Sequence, residues 1–259
     1  SPEGTPFASA TSLALLEATG GAPRDLTTTA DLNVADYRWL PGSDGLAYLA
    51  GWRGAQPIWQ VALNDGANSR TEPAPAERYI AEFDAQAGWM AYVAGDAANP
   101  CELFVRDPSG VERQLTTFNA PLLAERMVTP IEELVFTAPD GHEVQGWVLY
   151  PPEFDPARRG GYPLAVYIHG GPHLMWGPGV RSMWHEFQAA AARGYVVFFC
   201  NPRGSDGYGE TWRLATQASW GSADAPDFHA GIDAVITRGG IDSRRIAVTG
   251  GSYGGFMTA

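Results

Sequence analysis

The chain has 259 residues, 45% hydrophobic and 18% charged, which is ordinary globular composition and enough for one large domain or two modest ones. Its 29 acidic against 17 basic residues give a formal charge of −12, with no basic run to track a phosphate backbone, which argues against nucleic acid as a partner. The longest apolar stretches, such as 195–200, are strand-sized and fall short of the ~18 residues of a membrane helix, so no membrane partner is expected. No secretory leader is visible, although the chain opens at Ser1 without a methionine. Cys101 and Cys200 match no metal-ligand spacing and read as buried free thiols, which fits a reducing cytoplasm.

The first half repeats itself. Leu26-Thr27-Thr28 returns as Leu115-Thr116-Thr117, 89 residues later, which is two units of about 44. Ala47-Tyr48-Leu49-Ala50 returns as Ala91-Tyr92-Val93-Ala94, and the turn Asn64-Asp65-Gly66 returns as Pro108-Ser109-Gly110, each offset by 44. Short alternating strands between Gly, Asp, Pro and Asn turns at this period have the length of one four-stranded propeller blade. Residues 1–122 are therefore expected to be the C-terminal blades of a β-propeller, because two or three units are too few to close a ring of about 4 to 8. The competing reading is a small β-sandwich.

From residue 123 the pattern changes to strands alternating with helices. Residues 133–138 and 144–150 flank Pro139-Asp140-Gly141-His142 and read as a hairpin. The apolar run 164–168 predicts a strand covered on both faces. A helix over 184–193, closed by Gly194, precedes a strand at 195–200. Phe228, Ile232, Val235 and Ile236 mark a helical face over 227–238, with Asp224 and Asp227 as its expected caps, and a strand at 245–249 follows. An antiparallel start followed by strand-helix-strand repetition predicts a mixed, mostly parallel sheet, the N-terminal part of an α/β hydrolase over 123–259.

Gly250-Gly251-Ser252-Tyr253-Gly254 directly follows the last strand and runs into a helix start, the strand-turn-helix context of a G-x-S-x-G nucleophile elbow. Such a turn holds the serine in strained backbone geometry and needs nearly side-chain-free positions two before and two after it, here Gly250 and Gly254. Ser252 is the candidate nucleophile. A serine attacking a carbonyl also needs donors aimed at the developing oxyanion. The backbone N–H of Tyr253 is one candidate, and the N–H of Gly171 in His169-Gly170-Gly171-Pro172 is the other, since that loop follows the strand 164–168. His169 reads as a structural imidazole ahead of a catalytic one. In Asn201-Pro202-Arg203-Gly204-Ser205-Asp206-Gly207-Tyr208-Gly209, Arg203 is either a substrate-binding group for a peptide carboxylate or carbonyl, or a brace for its own loop. His173, His185 and His229 carry no motif.

Together, the repeats, Gly146-Trp147-Val148-Leu149-Tyr150-Pro151, the His169-Gly170-Gly171-Pro172-His173 loop, Asn201-Pro202-Arg203-Gly204-Ser205 and Gly250-Gly251-Ser252-Tyr253-Gly254-Gly255 resemble the prolyl oligopeptidase family of serine peptidases, most closely its acylaminoacyl-peptidase branch. The resemblance implies a peptidase acting on short peptides through an acyl-enzyme on Ser252, a propeller capping the site, and no metal or organic cofactor. Release of a blocked N-terminal residue, of a dipeptide, or of a C-terminal residue all stay open, as does a homo-oligomer. An esterase with a propeller lid and a propeller interaction module fused to a degenerate hydrolase are the alternatives. In α/β-hydrolases the acid and then the histidine follow the serine along the chain, and only seven residues follow Ser252. Both are expected beyond Ala259, in a longer chain of which this is an internal piece.

Overall fold

The structure is a computed structural model and describes residues 9–64, the backbone of 68–70, and 78–259. A two-residue ladder of β1 (Ala14–Leu15) with β2 (Arg24–Asp25) opens the described chain. Two meanders of equal plan follow. β3 (Val34–Trp39), β4 (Gly45–Ala50), β5 (Ile58–Ala62) and β6 (Asn68–Arg70) pair antiparallel in chain order. So do β7 (Tyr79–Gln86), β8 (Trp89–Gly95), β9 (Glu102–Arg106) and β10 (Glu112–Gln114). The strand pairs β4/β8, β5/β9 and β6/β10 each begin 44 residues apart, so the sequence period is a period of strands.

Alternation of side chains lets each sheet bury two faces. Ala47, Leu49 and Ile58 meet Ile80, Phe83, Met90 and Tyr92 in one core between the sheets. Leu46, Tyr48 and Val61, on the other face of the first sheet, pack on Leu13, Leu26 and Leu32. The expected turn at Asn64-Asp65-Gly66 lies outside the described residues past Asn64. Its counterpart closes tightly, with Asp107 Oδ1 accepting from the Ser109 and Val111 N–H groups at 2.9 and 3.0 Å.

After α1 (Ala120–Glu125), the chain forms β11 (Ile131–Thr137), β12 (Glu143–Leu149), β13 (Tyr162–Ile168), α2 (Arg181–Ala192), β14 (Val196–Asn201), α3 (Glu210–Leu214), α4 (Asp224–Thr237), β15 (Ile241–Gly250) and α5 (Tyr253–Thr258). The sheet order is β11-β12-β14-β13-β15. The β14/β13 and β13/β15 pairings are parallel, while β11/β12 and β12/β14 are antiparallel, so the sheet is mixed in equal parts rather than mostly parallel. The reason is connection length: the tight turn at 138–142 can only return antiparallel, whereas α2 and α4 supply the crossovers that parallel strands require. β14 shows the two-faced burial plainly. Val196, Phe198 and Cys200 face the core under α4, and Val197 and Phe199 face the core under α2. Cys200 is a buried free thiol as expected, whereas Cys101 is only half-buried.

The two halves meet through backbone contact. A Cβ on Gly177 would lie 1.7 Å from Gly54 O, an approach that no other residue permits. The Arg53 N–H donates to Gly207 O at 3.1 Å, Asn33 Nδ2 donates to Asp206 Oδ2 at 2.8 Å, and Trp184 Nε1 donates to Ala97 O at 3.0 Å. Among the described residues no helix is long and apolar enough to cross a membrane.

Candidate active site

β15 ends at Gly250 and α5 begins at Tyr253, so Gly251 and Ser252 alone reverse the chain. Ser252 takes φ 56° and ψ −120°, a conformation L-residues rarely adopt, and its side chain is exposed. The surroundings hold it there. A Cβ on Gly254 would fall 2.2 Å from Ile168 O, and one on Gly250 would fall 2.6 Å from the Gly254 carbonyl carbon. The elbow therefore presses on the end of β13, to which β15 pairs through Ile168 and Gly250. A Cβ on Gly251 would meet nothing within 4 Å, so the steric demand falls on the two positions the motif singles out.

The contact with β13 brings the 169–175 loop against the serine: a Cβ on Gly170 would stand 3.5 Å from Ser252 Cβ and 3.2 Å from Gly251 O. The backbone N–H groups of Gly171 and Tyr253 have no backbone or side-chain acceptor among the described residues. For Tyr253 that follows from its place at the start of a helix, where the first N–H groups lack intrahelical partners. The rest of Tyr253 is tied down. Its ring is buried, Trp220 meets it edge-on at 5.0 Å, and its hydroxyl donates to Asp224 Oδ2. Burial, followed by the Asp224 carboxylate, pushes the phenol well above its usual pKa.

Asp224 and Asp227 are not helix caps. Ala223 stands at the N-cap of α4 without a side-chain bond, and the two carboxylates, fully buried in the first turn, turn away from it. Asp224 anchors Tyr253 and leaves Oδ1 without a partner among the described residues. Asp227 takes Arg203. Nη2 donates to Oδ1 at 2.7 Å, and Nε and the backbone N–H of Arg203 donate to Oδ2 at 3.1 and 2.9 Å. Nη1 of Arg203 donates to Asp140 in the β11–β12 turn. Hydrogen bonds from His142 and then Arg203 hold the Asp140 carboxyl down at about 2. Arg203 thus braces the 201–209 loop, through carboxylates rather than the backbone carbonyls expected of a brace, and its candidate substrate-binding geometry is occupied by protein groups.

His169 is buried, with Nδ1 2.8 Å from Gly170 O and Nε2 2.9 Å from Ser205 Oγ. Burial is the main reason its pKa falls to about 4, so the ring is neutral near pH 7. His173 Nδ1 donates to Gly204 O at 2.8 Å, joining the same two loops a second time. His185 and His229 are exposed. Among the described residues no imidazole hydrogen-bonds Ser252, and no cluster of three or more His, Cys, Asp or Glu side chains could hold a metal. Asp224, Asp227, Asp140 and Ser205 were not recognisable as site supports in the sequence. The one local trace is the pair of acidic residues three apart at the start of an apolar helical face.

A serine on a strained turn at the carboxyl edge of parallel strands, with a glycine loop against it, defines an α/β-hydrolase site. Residues 181–259 match the model of the prolyl oligopeptidase family. The chain belongs to that family. It is 34% identical to the uncharacterized peptidase YuxL of Bacillus subtilis over 224 residues, 85% of this chain and 33% of that protein. It is 27% identical to dipeptidyl-peptidase 5 of Porphyromonas gingivalis over 241 residues, 91% of this chain and 34% of that protein. Among solved structures, an acylaminoacyl peptidase in complex with Z-Gly-Gly-Phe-chloromethyl ketone superposes with a TM-score of 0.86 at 27% identity, over 99% of this chain and 39% of that one. The uncomplexed acylaminoacyl peptidase of Pyrococcus horikoshii gives 0.84 at 27% identity over the same shares. The chain spans about a third of the length of the curated relatives it matches.

Proposed function

We propose that the chain carries the nucleophile half of a serine peptidase active site, in which Ser252 forms an acyl-enzyme and the N–H groups of Gly171 and Tyr253 hold the oxyanion. The observation that carries this reading is the juxtaposition at the elbow: an exposed serine at φ 56°, the Gly170 backbone packed against it, and two nearby N–H groups with no acceptor. Ser252 Oγ adds to the scissile carbonyl carbon while its proton passes to a base. The amine leaves with a proton, and water then hydrolyses the ester and regenerates Ser252. By the chain order of this fold the acid and base follow the nucleophile. Residues 1–122, with their two repeated four-stranded meanders, fit blades of a propeller that would sit over residues 123–259 and admit short peptides.

Within this reading we favour an exopeptidase. Names of relatives include dipeptidyl-peptidase 5, and acylaminoacyl peptidases are among the solved structures it resembles. Because Arg203 is already paired with Asp227 and Asp140, recognition of a C-terminal carboxylate loses its one visible candidate, which favours attack near the N-terminus. The test is to label the full-length protein with a fluorophosphonate and locate the adduct by peptide mass spectrometry, with Ser252→Ala alongside. Stoichiometric label on Ser252, absent from the variant, is expected, followed by turnover of N-acetylated or free dipeptide anilides. A folded protein that takes no label at Ser252 refutes the reading.

A further inference from the structure

The loop that carries Gly171 is held by a short chain of hydrogen bonds whose protons can be assigned. Gly170 O can only accept, so His169 Nδ1, 2.8 Å away, must carry a hydrogen. The neutral ring then offers a lone pair at Nε2, 2.9 Å from Ser205 Oγ. Ser205 Oγ also lies 2.7 Å from Pro202 O, but that carbonyl already accepts from Trp212 Nε1 at 2.9 Å and from the Ser205 N–H at 3.1 Å. Its two lone pairs are taken, and the hydroxyl proton goes to His169. The opposite tautomer would set the Nδ1 lone pair against the Gly170 carbonyl at 2.8 Å.

The consequence for Gly171 comes from peptide planarity. The carbonyl of Gly170 and the N–H of Gly171 belong to one peptide unit and, across a trans bond, point to opposite sides of the chain. A ring that grips the carbonyl on one side therefore fixes the direction of the N–H on the other, in the segment whose Gly170 packs on Ser252. We propose that Ser205 and His169 are positioning residues: the Ser205 hydroxyl selects the Nδ1–H tautomer of His169, which holds Gly170 O and so aims the Gly171 N–H at the oxyanion. This rests on the reading of Gly171 as an oxyanion donor. Both residues act through another group and touch no substrate. Trp176 packs edge-on against the imidazole at 5.7 Å and closes its remaining side, which keeps the ring from turning.

Two measurements on the full-length protein decide it. In wild-type protein labelled with ¹⁵N-histidine, with His169 assigned by its loss in His169→Asn, the expected spectrum is a neutral Nδ1–H ring from pH 5.5 to 8. An Nε2–H ring overturns the proposal, and this readout needs no variant to fold beyond the assignment. The second measurement is kinetic, on p-nitrophenyl acetate and an N-acetyl-dipeptide anilide, comparing Ser205→Ala with wild type. An interaction that matters only when the oxyanion forms lowers kcat and leaves KM alone, so kcat should fall by ~10-fold or more with KM within about twofold. If Ser252→Ala abolishes turnover but Ser205→Ala keeps kcat within about twofold, the proposal falls while the peptidase reading stands. If Ser252→Ala retains turnover, the peptidase reading fails and takes the proposal with it.

Discussion

Replacing Arg203 by methionine separates the two roles an arginine in its loop could have. In the structure its guanidinium is 11% exposed and Asp227 is fully buried, and the pair is made by two side-chain bonds of 2.7 and 3.1 Å. Removing one partner of such a pair leaves a buried uncompensated carboxylate and costs about 3–5 kcal/mol. The second partner, Asp140, is 46% exposed and adds little to this. The assay is the guanidinium-induced unfolding midpoint of the full-length protein, read together with KM. Arg203→Met is expected to lower the midpoint, while peptides still bind with KM within about twofold of wild type. Adding Asp227→Leu removes the stranded charge and should recover most of the loss, so the two substitutions are strongly non-additive. An Arg203→Met protein as stable as wild type, whose KM rises ~10-fold for peptides with a free C-terminal carboxylate, would refute the brace and restore a substrate role.

Gly254→Ala places a methyl 2.2 Å from Ile168 O, so the elbow must move by about 1 Å, and fluorophosphonate labelling of Ser252 should slow by ~100-fold. Unchanged labelling kinetics would show that the elbow does not depend on that contact. Gly177→Ala sets a methyl 1.7 Å from Gly54 O and should open the seam between the halves, read as faster limited proteolysis of the 51–55 and 174–180 loops; identical proteolysis would contradict the close contact. His169, with a folded pKa of about 4 against an ordinary 6.5, resists protonation when buried. Its sign is that of a depressed base: stability is full above pH 6.5 and falls as pH drops towards 4, by about 3 kcal/mol in total. His169→Asn should flatten that part of the stability–pH curve, and a curve as steep as wild type would assign the acid sensitivity elsewhere.

Much of the elbow was legible because its constraints are local. A glycine two residues either side of Ser252 is demanded by the turn itself, and the structure shows the Cβ positions of Gly250 and Gly254 blocked by backbone. The 44-residue period was legible for the same reason: each unit rebuilds one set of strands with the same short connections. What stayed hidden is what long separations bring together. Arg203 finds Asp227 24 residues later and Asp140 63 residues earlier, and Tyr253 finds Asp224 29 residues earlier. Read locally, Asp224 and Asp227 look like caps, because a carboxylate at a helix start has that use by default; packing gave them buried partners instead.

The sequence alone therefore determined the kinds of element, their order, the repeat and the nucleophile turn, all set by periodicity and by sterics within a few residues. Only the tertiary structure decided the proportion of parallel pairing, which depends on where β12 inserts, and the commitment of Arg203 to carboxylates. It also decided the tautomer of His169. That tautomer follows from which acceptor and which hydroxyl stand at its two nitrogens, and Ser205, 36 residues away, reaches His169 only when β13 and β14 lie side by side.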